Sequence, residues 1–310
     1  MNKDSKILVT GARGFLGRFV VRKFNEHGYN NLVELGGSKV CDLRNPHEVH
    51  SILTIHRPDV VVHLAARVGG IGENQKYSGA FFYDNMSMGM NLIESARKLD
   101  VKKFVLLSTV CAYPHTTPVP FKEADLWNGY PEPTNAPYGI AKKALSEMLI
   151  AYKKQYDFNG ITLIPVNLYG PNCPGDTHVI PDLIRKFFAA QKQGLDQVVV
   201  WGTGSASREF LYVDDCAEAI VKATLNYDDP KPVNIGTGQE ITIKGLVEIL
   251  KCMIPGKYSI YWDVSKPDGQ PRRCLDTTRA KEEFGFEAST SLQAGLTKTV
   301  NWYKEYANAS

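Results

Sequence analysis

The chain has 310 residues, 43% hydrophobic and 22% charged, with a formal net charge of +3. That length can bury one large core or two fused smaller ones, and so small a charge argues against nucleic acid as a partner. The first six residues are polar, no apolar run is long enough to span a bilayer, and the six cysteines (41, 111, 173, 216, 252, 274) lack paired or metal-ligand spacing. We therefore expect a cytoplasmic protein with no membrane segment, reduced thiols and no metal.

Lys6-Ile7-Leu8-Val9-Thr10 predicts a short buried parallel strand. Gly11-Ala12-Arg13-Gly14-Phe15-Leu16-Gly17 follows, then an amphipathic helix ending at Gly28. Strand, glycine turn and helix make a dinucleotide-binding arrangement, in which glycines let the backbone approach a pyrophosphate at the positive helix end. The spacing is G-x-x-G-x-x-G. Taken alone it fits a structural turn; between a strand and a helix it favours a cofactor. The next strand, residues 31–35, ends in Gly36-Gly37-Ser38-Lys39. An acid at this strand end would hold a ribose and favour NAD, but Glu34 precedes the last apolar residue and is ambiguous. Arg13 and Lys39 are alternative partners for a 2′-phosphate, and the expected cofactor is NADPH. Asn45-Pro46-His47-Glu48 predicts a helix start, with cap, N1 proline and acid at N3. Val60-Val61-Val62-His63-Leu64-Ala65-Ala66 predicts another buried strand, whose small terminal residues let backbone lie against a cofactor. A long helix over residues 78–99 leads to Phe104-Val105-Leu106-Leu107.

This strand closes in Ser108-Thr109-Val110-Cys111, and a proline-rich loop leads to Tyr138-Gly139-Ile140-Ala141-Lys142. If that segment is helical, Tyr138 and Lys142 share a face. An ammonium near a phenol lowers the tyrosine pKa towards neutrality, and such a phenol exchanges protons with a sugar or alcohol oxygen. Thr109 can offer a hydroxyl to the same oxygen. Tyr-x-x-x-Lys alone is equally an aromatic core residue beside a solvated lysine. What raises it is convergence: the alternation of strands and helices predicts a doubly wound parallel α/β sheet of Rossmann type, with Gly11, Ala65 and Thr109 at its carboxyl edge.

We divide the chain into a cofactor-binding domain, residues 1–166, and a smaller α/β substrate-binding domain, residues 167–310, with parts near 208–238 returning to the first. Residues 172–177 read as a polar loop before His178, with a helix over 181–191 and a strand at Val198-Val199-Val200-Trp201-Gly202. Arg208-Glu209-Phe210-Leu211-Tyr212-Val213-Asp214-Asp215 reads as the opening of a further helix, residues 233–238 as a strand and turn, and residues 292–306 as an amphipathic helix. Arg208, Lys266, Arg272 and Arg273 can grip a diphosphate by charge-assisted bonds; each singly also fits a solvated basic loop.

The glycine turn, His63-Leu64-Ala65-Ala66, the Thr109/Tyr138/Lys142 set and Arg208-Glu209-Phe210 resemble the extended short-chain dehydrogenase/reductases. More narrowly, Ala65-Ala66-Arg67-Val68-Gly69-Gly70-Ile71, Glu132-Pro133-Thr134-Asn135, Asn167-Leu168-Tyr169-Gly170-Pro171, His178-Val179-Ile180-Pro181 and Ser265-Lys266-Pro267-Asp268-Gly269 resemble the branch that epimerises GDP-4-keto-6-deoxy-D-mannose at C3 and C5 and reduces it at C4. The resemblance implies that Tyr138 donates a proton to the C4 oxygen with Lys142 and Thr109 assisting, while Cys111 and His178 form the epimerising acid–base pair. It implies NADPH contacts from Gly11, Arg13, Gly14, Phe15, Leu16, Gly17, Asp42, Leu43, Ala65 and Ala66 besides Tyr138 and Lys142. It implies GDP-sugar contacts from Asn167, Arg185, Trp201, Arg208, Lys266, Asp268 and Arg273, and a homodimer built on long helices. Thr109 replaces the serine common in this branch. Gly36 and Ser38 stand where relatives can carry arginines for the 2′-phosphate. Two rival readings remain: the same fold acting on another GDP-4-keto sugar, such as a deoxyheptose or 3,6-dideoxyhexose, or a dinucleotide-binding sensor without catalysis.

Overall fold

The computed structural model describes residues 1–173, 178–266 and 268–309. In chain order the first half runs β1 (Ile7–Thr10), α1 (Phe15–Glu26), β2 (Leu32–Leu35), α2 (Pro46–His56), β3 (Val60–His63), α3 (Ile71–Lys76), α4 (Ser78–Lys98), β4 (Lys103–Leu107), α5 (Ala136–Tyr156) and β5 (Gly160–Pro165). The second half runs β6 (Asn167–Tyr169), α6 (Val179–Gln193), β7 (Gln197–Trp201), β8 (Ser207–Tyr212), α7 (Val213–Asn226), β9 (Val233–Ile235), β10 (Glu240–Thr242), α8 (Ile243–Met253), β11 (Ser259–Asp263), α9 (Thr278–Phe284) and α10 (Leu292–Ala309).

The continuous apolar runs become the parallel sheet β2-β1-β3-β4-β5-β9, because each inner strand is covered on both faces. Leu8, Val61, Phe104 and Leu106 pack on one side with Leu53 of α2, Leu92 of α4 and Leu145 of α5. Ile7, Val9, Val62 and Val105 pack on the other with Val20 of α1, Ile220 of α7 and Ala280 of α9. Strand order reverses between β1 and β3, so the crevice at their carboxyl ends is where this architecture binds ligands. A second core joins Ile184 and Phe187 of α6, Val198 and Val200 of β7, Phe210 of β8, Leu246 and Leu250 of α8 and Leu296 of α10. The chain crosses between the two cores, since residues of α7 and β9 belong to the first.

Three boundaries differ from the sequence reading. Leu64, Ala65 and Ala66 lie beyond β3, with Leu64 and Ala65 against the glycine turn. The α6 helix starts at Val179, two residues earlier than expected. The stretch from Arg208 to Tyr212 is strand, not helix opening: β8 is central in the sheet β10-β8-β6, whose ladders override local preference, and α7 starts only at Val213. Among the described residues, no helix is long and apolar enough to cross a membrane.

Candidate active site

The cofactor side begins at the turn after β1. Gly11 has φ +70°, and a Cβ there would stand 2.9 Å from the Ala65 nitrogen, so only glycine lets the β1 and β3 turns meet. The Thr10 hydroxyl accepts the Ala65 N–H at 3.2 Å and pairs with His63 Nδ1 at 2.9 Å. A side chain at Gly17 would overlap the Gly11 carbonyl, which is why α1 can start directly on the turn. Gly14 caps α1 without any side-chain hydrogen bond, leaving the first N–H groups to an anionic ligand. Phe15 and Leu16, in the first turn of α1, pack towards the core. Arg13 is exposed, with its carbonyl accepting from Arg18 Nε at 3.0 Å. The Asp42 carboxylate is gripped by Arg44 through Nε at 2.9 Å and Nη2 at 2.8 Å, which holds it down at about 2. Arg44 continues to Asp84, and Asp84 to Arg67. Leu43, beside them, is buried.

The candidate catalytic residues gather where β4 ends. Thr109 starts a short 3₁₀ turn, Val110–Ala112, its hydroxyl accepting the Cys111 N–H at 3.2 Å. Its side chain also hydrogen-bonds the Tyr138 phenol. Gly139 brings α5 against this turn: a Cβ there would overlap the Cys111 carbonyl oxygen. Tyr138 meets Phe81 edge-on at 6.5 Å between ring centres. One turn further, Lys142 is buried and donates from Nζ to the Leu107 carbonyl at 3.0 Å.

The expected lowering of the Tyr138 pKa is overturned. Burial of the phenol is the largest influence and pushes it above its ordinary value, the Cys111 thiol pushes the same way, and only the Thr109 hydrogen bond pulls down. Lys142 is the group brought towards neutrality, to about 8, because burial disfavours its ammonium. His63, wholly buried near Lys142, is pushed well below its ordinary value by burial first and that ammonium second. It is a neutral imidazole at pH 7.

Cys111 opens the substrate side. Its sulfur receives Asn135 Nδ2 at 3.4 Å and Arg273 Nη1 at 3.8 Å. Arg273 is buried and also donates to Gln270 Oε1, while Gln270 Nε2 donates to the His115 carbonyl at 2.9 Å. Arg208, largely buried, donates to the Ser207 carbonyl at 2.6 Å and the Asp268 carbonyl at 3.0 Å. Burial first and the charge of Arg273 second bring its pKa down to about 10. Asp268 is fixed by the Thr203 N–H at 2.8 Å and hydroxyl at 2.7 Å. Farther out, Lys186 and Lys266 lie over the exposed Trp201 ring, 5.6 and 5.4 Å from its centre.

Arg185 pairs with Asp182, and Arg272 turns away from Arg273 to pair with Glu240. Asn167 Nδ2 reaches the Glu209 carbonyl at 3.4 Å. His178 stands at the N-cap of α6, at the end of a loop whose residues 174–177 lie outside the described residues, as does Pro267 of the basic loop. Thr109, Cys111, Tyr138, Arg208 and Arg273 are thus brought together, and Lys186, Trp201 and Lys266 form a separate outer group.

Sequence reasoning gave no role to Asn135, Gln270 and Glu209, although Asn135 and Glu209 lie in stretches that carry the resemblance. Glu209 is fully buried, and its carboxylate accepts the backbone N–H groups of Thr237, Gly238 and Leu275, tying β8 to two loops. The only sequence signal was an acid inside an apolar strand; for Asn135 it was an amide just ahead of the Tyr138 helix.

A model of the NAD dependent epimerase/dehydratase family matches residues 7–236. The chain belongs to that family. Within it, the chain is 41% identical over 308 residues to a putative GDP-L-fucose synthase 2 of Arabidopsis thaliana, covering 98% of this chain and 93% of that one. It is also similar to two solved structures. One is a GDP-6-OMe-4-keto-L-xylo-heptose reductase from C. jejuni, with TM-score 0.91, 28% identity and 99% of each chain covered. The other is a GDP-L-fucose synthetase from Naegleria fowleri bound to NADP, with TM-score 0.90 and 27% identity, covering 100% of this chain and 97% of that chain.

Proposed function

We propose that the protein epimerises GDP-4-keto-6-deoxy-D-mannose at C3 and C5 and reduces it at C4 with NADPH, giving GDP-L-fucose. One observation carries the reading: a Tyr138/Lys142/Thr109 set and a Cys111 thiol held by two N–H donors stand together at the end of β4. A plain ketoreductase needs the first and has no use for the second. The similarity to a GDP-L-fucose synthase at 41% identity over nearly the whole chain supports the same substrate.

The residues present fit a dinucleotide. Gly11 and Gly17 leave no side chain in the turn, and the N–H groups opening α1 are uncapped by side chains. Arg13 is the exposed cation for a 2′-phosphate, and Ala65, Ala66 and Asp42 flank the same crevice. The reduced nicotinamide supplies hydride to C4. Everything else falls to this chain. Hydrogens on C3 and C5 are acidified by the C4 ketone, because the electron pair left by the proton delocalises onto the ketone oxygen. One of Cys111 and His178 takes the proton and the other returns one to the opposite face, at each carbon in turn. Thr109 and Tyr138 donate hydrogen bonds to the enolate oxygen. Because burial keeps the Tyr138 phenol protonated, it stands ready to give its proton to the C4 oxygen when reduction ends the sequence. Arg208, Lys266, Asp268 and Trp201 hold the GDP moiety, with Asn167, Arg185 and Arg273 beside it.

Residues 1–166, with the return through α7 and β9, form the cofactor-binding half, and the rest forms the substrate half. We further propose a cytoplasmic homodimer joined across α4 and its neighbour α5, where Phe82, Tyr83 and Met90 are exposed on α4. Incubation with NADPH and the GDP-4-keto sugar in deuterated water tests the reading: the product should carry deuterium at C3 and C5 and cofactor-derived hydrogen at C4. Product without deuterium at either carbon would leave a simple 4-reductase. The likeness to the heptose reductase favours one second reading, a GDP-4-keto-heptose substrate, and faster turnover of that sugar would select it.

A further inference from the structure

Asn135 occupies the N-cap of α5, a position where asparagine ordinarily turns its side-chain oxygen onto the N–H groups of the first helical turn. Here it makes no cap bond. Its Nδ2 instead donates to Cys111 Sγ at 3.4 Å, and its Oδ1 is buried with no hydrogen-bond partner. The residue is only 8% exposed, and nothing within the described chain supplies the missing donor. A residue that gives up its local bond and leaves a buried acceptor open is shaped for something outside the protein chain.

We propose that Asn135 couples Cys111 to the keto sugar: its amide N–H groups fix the sulfur, and its carbonyl oxygen accepts from a hydroxyl of the sugar ring. Arg273 backs the same sulfur from the other side, steadied by Gln270. The inference rests on the epimerase reading above and names the residue that aims its thiol.

Asn135→Asp discriminates. Aspartate keeps an acceptor oxygen, but puts oxygen where the N–H donor stood. We expect the variant to keep its KM, while deuterium exchange at C3 and C5 falls on the order of 10²-fold more than C4 reduction does. Its product should shift to the reduced, unepimerised 6-deoxyhexose. Asn135→Ala, which loses the acceptor as well, should add a rise in KM. Alkylation of Cys111 by iodoacetamide, followed by peptide mass spectrometry, needs no sugar and should slow in Asn135→Asp. Native exchange in that variant, or equal loss of exchange and reduction, would remove Asn135 from the aiming of Cys111. An unmodified protein that exchanges no deuterium would instead sink the epimerase reading itself.

Discussion

The buried charge of Lys142 works against stability, and its cost can be measured. Its ammonium is buried, with its pKa brought from the ordinary 10.5 to about 8. At 1.36 kcal/mol per pH unit of displacement, carrying that charge costs the native state about 3 kcal/mol at pH 7. The sign follows from the protons. Between pH 8 and 10.5 the unfolded chain still binds the proton and the native one has released it, so this group makes the protein more stable as pH rises. The penalty is full below about pH 8 and gone above about 10.5. Lys142→Met fills the same space without charge but forfeits the hydrogen bond to Leu107, worth about 1 kcal/mol. The variant should therefore be more stable by about 2 kcal/mol at pH 7, with the gap closing to about zero near pH 9.5. Urea unfolding of both proteins at the two pH values reads this, and other titrating groups cancel in the difference. C4 reduction should fall in the same variant, as expected when a stabilising change removes an active-site group. A methionine variant less stable than native at pH 7, or a gap that ignores pH, would refute the argument.

Tyr138→Phe should lower kcat for reduction about 10²–10⁴-fold, with cofactor affinity and melting temperature kept; near-native turnover would remove Tyr138 from the mechanism. Gly139→Ala drives a Cβ into the Cys111 carbonyl and should cost about 1–3 kcal/mol in urea unfolding, with epimerisation and reduction declining together. Cys111→Ser should cut deuterium incorporation at C3 and C5 by at least about 10²-fold in a mass-spectrometric assay, because a serine hydroxyl is a far weaker acid than a thiol. Arg13→Ala should shrink the preference for NADPH over NADH about tenfold, the worth of one charge-assisted bond, and equal rates with both cofactors in the native protein would contradict its assignment.

Much of this was legible before any coordinates. Apolar runs bounded by glycine turns announce buried parallel strands, since a strand covered on both faces has no polar side to show. Tyr138 and Lys142 are four apart, so helical geometry alone puts them on one face. The glycines at 11, 14 and 17 required a tight turn at a strand end. Where local pattern misled, the competing influence was tertiary. The 208–212 stretch became a central strand because β6 and β10 pair with it on both sides.

The sequence by itself determined the order of strands and helices around the cofactor crevice and singled out the candidate residues beside it, because periodicity and turn chemistry act over a few neighbouring residues. Only the tertiary structure decided the electrostatics and the partners. Tyr138 was expected to become more acidic beside Lys142; the fold instead buries Lys142 and leaves Tyr138 only partly exposed, so desolvation moves each towards its neutral form. Likewise nothing along the chain joins Cys111 to Arg273, 162 positions away, or turns Asn135 from its own helix towards a thiol. Desolvation and long-range contact depend on what the whole chain packs around a group, and that is absent from any local stretch of it.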